Sequence, residues 1–261
     1  MDEIAAYNQA RWKQLADADA LFTRPRFDLD PISARQLVDP DRRLGELDGK
    51  SVLCLAGGGG RQSAAYALLG ADVTVVDLSA EQLERDVNVA EHYRVPIKTV
   101  QADMRSLSGL EPNSFDVVDH AYSINFVPDC VGVFHQVARV LRPPGLYRMM
   151  CANPFTVGMG PGDWNGTGYS IRQPYVQGAR LTYEDQEWVY DRALNAPISK
   201  PVEFRHTLSS VVNGLAAERF SILHLWDSQD MYPDLDAEPG SWDHFVAFAP
   251  PWLSFLARLE H

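Results

Sequence analysis

Four consecutive glycines, Gly57, Gly58, Gly59 and Gly60, follow the apolar run 51–56 and precede a stretch of helical composition, 62–69. Glycines between a strand and a helix let the backbone turn sharply, and they let a ligand approach without a Cβ in the way. The start of the helix then offers unpaired N–H groups to an anionic group. Asp77 closes the next apolar run, 72–77, and stands 21 residues after Ala56. A carboxylate at such a strand end accepts hydrogen bonds from two ribose hydroxyls. The pair therefore points to a ligand carrying a nucleoside. The dinucleotide fingerprint needs G-x-G-x-x-G/A. Counted from Gly58 its third place is Ser63, and counted from Gly57 it is Gln62. This spacing argues against a nicotinamide dinucleotide. The alternative is a tight strand-to-helix turn without a ligand, which would need fewer glycines.

The elements around this loop alternate. A helix is expected over 2–20, and an irregular stretch over 23–48, which holds Pro25, Pro31 and Pro40. Strands are expected at 51–56, 72–77, 96–101, 115–120 and 146–152. Ser79 with Gln82 three residues on forms a capping-box signal. After it, Leu83, Val87 and Ala90 suggest one helix face. Another helix is expected over 131–141, with a turn at Arg142-Pro143-Pro144-Gly145. Strands alternating with helices imply a parallel sheet covered on both faces. Residues 153–205 break the rhythm with glycines, prolines and the rings of Trp164, Tyr169, Tyr175, Tyr183, Trp188 and Tyr190. They read as an insertion at the mouth of the sheet. A helix over 207–218 and strands at 220–226 and 244–249 complete the chain, the last pair suggesting an antiparallel edge.

Length and composition bound the function. The 261 residues carry 35 acidic and 23 basic side chains, a net charge of −12. An acidic surface repels phosphate backbones, so nucleic acid is an unlikely partner. Arg24, Arg26, Arg35, Arg42 and Arg43 do cluster, but Asp28, Asp30, Asp39 and Asp41 interleave with them. No apolar run approaches the roughly 20 residues that span a bilayer, and no secretory signal is evident. Cys54, Cys130 and Cys151 are scattered and form neither a disulfide framework nor a metal pair. The expectation is a cytoplasmic protein of one domain over 1–261, with no metal. The oligomeric state is not legible.

The ordered motifs resemble those of the class I S-adenosylmethionine (SAM)-dependent methyltransferases. Their first motif is matched by Cys54, Ala56, Gly58 and Gly60, with Cys54 in a place that is usually acidic and Ala56 where a glycine is usual. Asp77-Leu78 resembles the ribose-holding motif. Asp103-Met104 resembles the motif whose Asp contacts the adenine amine and whose neighbour flanks the ring. Phe115-Asp116-Val117-Val118 resembles the fourth strand, which puts His120 and Ala121 at the end that holds the methionine moiety. The turn at 142–145 resembles the family's turn before strand five. The resemblance covers residues 50–150 strongly and 206–249 weakly. It implies a doubly wound, seven-stranded, mostly parallel α/β sheet of order 3-2-1-4-5-7-6, with an N-terminal helical lid in 1–48 and a substrate cap in 153–205. The implied cofactor is SAM, held by Tyr7, Trp12, Ala56, Gly57, Gly58, Asp77, Leu78, Gln82, Asp103, Met104, His120 and Ala121.

The implied reaction is in-line methyl transfer to a small organic molecule, in which the protein aligns the nucleophile and excludes water. A general base matters only for a protonated acceptor. His120 and His206 are the candidates, each with an alternative structural role. The aromatic insertion is the expected acceptor pocket, although most of its rings also suit a satellite core. Asn153-Pro154-Phe155 looks like an amino-methyltransferase signature but falls after strand five instead of strand four. Two alternatives stand beside the main reading: an RNA-modifying methyltransferase, and a SAM-binding or interaction protein without catalysis.

Overall fold

The computed structural model describes residues 2–183, 198–227 and 231–261. Trp188 and Tyr190 lie outside them. The sheet follows the expected plan. β1 (Ser51–Leu55), β2 (Asp72–Asp77), β3 (Ile97–Gln101), β4 (Phe115–His120) and β5 (Leu141–Ala152) run parallel. With β8 (Phe220–Asp227) and β9 (Trp252–Leu259) they form seven strands in the order β3-β2-β1-β4-β5-β9-β8. β9 runs antiparallel to both β5 and β8.

Alternation of side chains across each strand builds two cores. Leu53, Leu55 and Val118 pack with Phe134 of α5 (Cys130–Val140) and Leu215 of α6 (Leu208–Ala217) on one face. Val52, Cys54 and Val75 pack on the other with α2 (Pro31–Val38), α3 (Gln62–Leu68) and α4 (Ala80–Tyr93). Cys54 thus points into the helix-covered core and not into the mouth of the sheet, and burial pushes its thiol up.

Four expectations need correction. The stretch 23–48 is not wholly irregular: Pro31 starts α2, where a missing N–H costs nothing, and Asp30 and Ser33 close a reciprocal capping box. The buried face of α4 is Gln82, Leu83, Asp86 and Val89, while Val87 is exposed. Two polar residues inside that face hide the helical phase from a hydrophobicity count. Residues 142–145 lie within β5, where the register slips between Phe115↔Leu141 and Val117↔Leu146. Finally, the expected strand at 244–249 is helix α7 (Trp242–Phe248), capped by Ser241. The strand lies after Pro250 and Pro251, where Leu253, Phe255, Leu256 and Ala257 bury both faces between two neighbours.

Two segments cover the sheet's carboxyl edge. Helix α1 (Glu3–Asp17) is capped by Asp2. The described part of the insertion holds the two-stranded ribbon β6 (Arg180–Thr182) and β7 (Val202–Phe204). Its Trp164 and Tyr169 pack on α7, with the Tyr169 hydroxyl 2.8 Å from His244 Nδ1. Among the described residues, no helix is long and apolar enough to cross a membrane.

Candidate functional site

The glycine loop is held by two carboxylates. The Gly58 N–H donates to Asp77 Oδ2 at 2.9 Å, and the Ser79 N–H donates to Asp77 Oδ1 at 2.9 Å. From α4, Asp86 accepts the N–H groups of Gly59 (3.0 Å) and Gly60 (3.1 Å) and the hydroxyl of Ser63 (2.5 Å). Desolvation raises the pKa of Asp77, against the pull of its backbone donors. Desolvation also raises that of Asp86 to about 7, with the nearby Asp77 adding to the rise. These loop amides are therefore not open to an anionic ligand, contrary to the expectation from helix-start chemistry. A pyrophosphate would have to compete with fixed carboxylates. The loop suits an uncharged sugar, for which Asp77 keeps about two of a carboxylate's four acceptor positions.

A cleft opens above this loop at the carboxyl edge of the sheet. Its floor is Ala56, Gly58 and Asp77; one end is Leu78, Ala102, Asp103, Met104 and Arg105. Ile4, Ala5, Asn8 and Trp12 of α1 form its roof, and Ser123, Phe126 and Val127, just past β4, close the other end. Two buried polar atoms on this lining, Gln82 Oε1 and Ser123 Oγ, have no hydrogen-bond partner within the protein.

The roof is tied to the rim. Asn8 Nδ2 donates to Phe126 O at 2.9 Å, and Gln9 Nε2 donates to Leu78 O at 3.1 Å. Arg105 joins Asp103 (2.6 Å) to Asp2 at the α1 N-terminus (2.6 Å), which holds the Asp2 carboxyl well below the usual carboxylate range. Both Asp103 oxygens already take Arg105 N–H groups. Trp12 meets Phe126 edge to face at 5.7 Å.

Of the residues expected from sequence, Trp12, Ala56, Gly58, Asp77, Leu78, Gln82, Asp103 and Met104 line this one cleft. Gly57, Ala121, Tyr7, His120 and His206 do not. The Tyr7 hydroxyl donates instead to Lys200 O at 2.7 Å. His120 is fully buried, with Nδ1 2.8 Å from the Tyr147 hydroxyl, and burial pushes its pKa down to about 3. Burial thus favours the neutral imidazole, and His120 is not among the residues that line the cleft. His206 is also buried. Its Nε2 lies 3.1 Å from Ile124 O and its Nδ1 3.2 Å from Gln177 Nε2, so it braces the single helical turn Ile124–Phe126. Asn153 is structural too: its amide donates to Pro250 O and its carbonyl accepts the Phe155 N–H. None of the lining of this cleft comes from the described part of the insertion. Sequence reasoning missed Arg105, Ser123, Phe126 and Asp86. Only Asp86 left a signal, an acid inside an apolar helix face.

The strand order, with the antiparallel β9 between β5 and β8, and the glycine loop facing Asp77 define the class I SAM-dependent methyltransferase fold. Residues 53–149 match the family model described as a methyltransferase domain. The chain is 41% identical over 108 residues to the uncharacterized methyltransferase YbaJ of Bacillus subtilis, covering 41% of this chain and 42% of that protein. It is 33% identical over 150 residues to the ubiquinone biosynthesis O-methyltransferase of Xanthomonas euvesicatoria, covering 56% and 57%. The chain thus spans about half the length of these curated relatives. A SAM-dependent methyltransferase from Mesorhizobium loti superposes with a TM-score of 0.59 at 20% identity, over 89% of this chain and 100% of that one. The magnesium protoporphyrin IX methyltransferase of Synechocystis, solved with S-adenosylhomocysteine (SAH) bound, gives 0.54 at 13%, over 88% and 83%. At these identities the likeness to solved structures is one of fold. The resemblance read from the glycine loop, Asp77 and Asp103 is borne out.

Proposed function

We propose that the chain binds SAM in this cleft and directs its methyl group to a small organic acceptor. The observation that carries this reading is the cleft floor, where the Gly58 N–H fixes the Asp77 carboxylate at 2.9 Å and a Cβ at Gly58 would stand 2.9 Å from Asp77 Oδ2. When bound, the cofactor supplies a methyl group already activated on a sulfonium. The protein's part is binding and exclusion of water. Asp77 takes the ribose hydroxyls, Leu78 and Met104 sandwich the adenine, and Arg105 with Asp103 walls its edge. Trp12 and Phe126 keep water from the reacting end, where the attack must be in line.

A small acceptor is favoured over RNA by the fate of the arginine cluster. Arg24 pairs with Asp19 (3.1 Å), Arg26 with Asp28 (2.6 Å), Arg35 with Asp39 (3.0 Å), Arg42 with Glu46 (3.9 Å) and Arg43 with Asp41 (3.2 Å). Charges neutralised in this way make a poor phosphate-binding face. The O-methyltransferase names among the relatives point the same way. Free, buried Cys54, Cys130 and Cys151 support action in the reducing cytoplasm. The test is transfer from methyl-labelled SAM in the presence of a metabolite extract and total RNA. Label is expected in the low-molecular-weight fraction. Label confined to RNA would reverse the choice of acceptor, and no transfer by a protein that binds SAH would make it a non-catalytic binder.

A further inference from the structure

Helix α1 is fastened at its two ends by arginines of different exposure. At the C-terminal end, Arg85 of α4 donates through Nη2 to Ala16 O at 2.6 Å and through Nη1 to Thr23 Oγ1 at 2.6 Å. At the N-terminal end, Arg105 donates to both Asp2 oxygens, through Nη1 at 2.6 Å and through Nη2 at 3.0 Å. Asp2 is also the cap of α1 and accepts the Ala5 N–H at 2.9 Å. The Arg85 side chain is 14% exposed, whereas those of Arg105 and Asp2 are 25% and 53% exposed. Water competes more strongly for the exposed pair, so the N-terminal end of α1 is the one that parts more readily. That end stands over the cleft, where Ile4 and Ala5 join Asp103, Met104 and Arg105 in the lining.

Asp103 is fully engaged in the same arrangement. Its Oδ1 accepts the Arg105 backbone N–H at 2.9 Å and the Arg105 Nε–H at 3.0 Å. Its Oδ2 accepts the Nε–H at 3.1 Å and the Nη2–H at 2.6 Å. A carboxylate offers about four acceptor positions, and these donors occupy them. One guanidinium therefore joins two carboxylates through paired bonds, which fix its direction as well as its place.

We propose that Arg105 is the residue that positions α1 over the nucleoside of the bound cofactor, and that Asp103 serves as the anchor of Arg105 and not as the acceptor of the adenine amine. The proposal rests on the reading of the cleft as a SAM site, and it departs from the role that the sequence resemblance implies for Asp103. An amine donating to Asp103 would have to displace Arg105, which would release Asp2 and the first turn of α1 with it. Amine reading by Asp103 and a closed roof are thus alternatives. Arg105 acts through α1, whose Ile4 and Ala5 cover the base only while Asp2 is held. Cofactor retention then depends on this latch, while Asp103 leaves the 6-position of the base unselected.

The test follows release of radiolabelled SAH from the full chain under a chase of unlabelled SAH. Arg105→Leu is expected to release SAH at least threefold and up to about tenfold faster than wild type, as for loss of a well-formed exposed ion-pair network. Asp2→Ser keeps a good helix cap but is too short to reach Arg105, and it lies outside the cleft lining. It should speed release in the same range. In both complexes hydrogen exchange should quicken in residues 2–10, a local change that general destabilisation would not confine there. Amine reading by Asp103 predicts the opposite for Arg105→Leu, which would free the carboxylate and slow release. The second arm uses S-inosylhomocysteine, which carries a carbonyl where SAH carries the amine. Asp103→Ala should weaken calorimetric binding of both ligands by the same factor, within about twofold. Release less than threefold faster in either folded variant, or a loss more than twofold larger for SAH than for the inosine analogue, overturns the proposal. Absence of SAH binding to the wild type would instead overturn the cofactor reading beneath it, and calorimetry shows that before any variant is made.

Discussion

Gly58→Ala is expected to fold and to lose SAH affinity by about 10- to 150-fold. A Cβ built at this position would stand 2.8 Å from Gln82 Cβ, 2.9 Å from Asp77 Oδ2 and 3.0 Å from Asp77 Cγ. Real contacts are not that close, so something must move. Among the colliding groups is the carboxylate whose orientation the Gly58 N–H itself fixes at 2.9 Å. The backbone at Gly58 does not have the positive φ of Gly59 (+116°) or Gly60 (+74°), so the substitution strains contacts and not the turn. Displacing a charged acceptor from its ligand costs roughly 1.5–3 kcal/mol, which sets the expected range. Asp77→Ala should fall in the same range, because both changes remove one interaction. Calorimetric titration with SAH measures both. An affinity within twofold of wild type for either folded variant would take the Gly58–Asp77 pair out of the site.

The second large effect is on stability. Asp86 is fully buried and titrates near 7 in the folded chain, against 3.8 for an ordinary aspartate. Its folded pKa is raised, so the native state holds this proton more tightly than the unfolded state does. Its proton-linked contribution is complete below about pH 4 and is lost as pH rises to about 7. The difference of about 3 pH units corresponds to at most ~4 kcal/mol. Urea unfolding of wild type and Asp86→Asn at intervals from pH 4 to 8 isolates the term, since the other titrating groups are common to both. Wild type should lose stability relative to the variant across this window. A constant difference would mean that Asp86 is already ionised at low pH and that its desolvation is offset by Gly59, Gly60 and Ser63.

The sequence makes the frame legible where local signals agree with burial. Strands Asp72–Asp77 and Phe115–His120 stand where their valine-rich runs put them, because buried parallel strands need only such runs. The glycine loop and Asp77 are legible because few other functions need four glycines before a helix. What escaped has physical causes. Pro31 reads as a breaker until its place at the first turn of α2 is known. Residues 244–249 alternate well enough for a strand, but Ser241 caps them as a helix, and the central strand lies past two prolines. In α4, Gln82 and Asp86 occupy core positions for the sake of the loop, which spoils the periodicity that would reveal them. His120 stands at the expected strand end, yet its side chain turns into the core against Tyr147. Arg105, Phe126 and Ser123 lie in the loops after β3 and β4, and the roof that α1 sets over them is a contact between distant parts of the chain that no local pattern encodes.

The central claim is that this cleft is a nucleoside site built for SAM and closed to a dinucleotide. Calorimetry of the wild-type chain with SAH and, separately, with NAD tests it most directly. Asp77 and Asp86 occupy the Gly58, Gly59 and Gly60 amides that a pyrophosphate would need, so SAH should bind with stoichiometry one and NAD should give no heat of binding. Binding of NAD more tightly than SAH, or no binding of SAH, would contradict it.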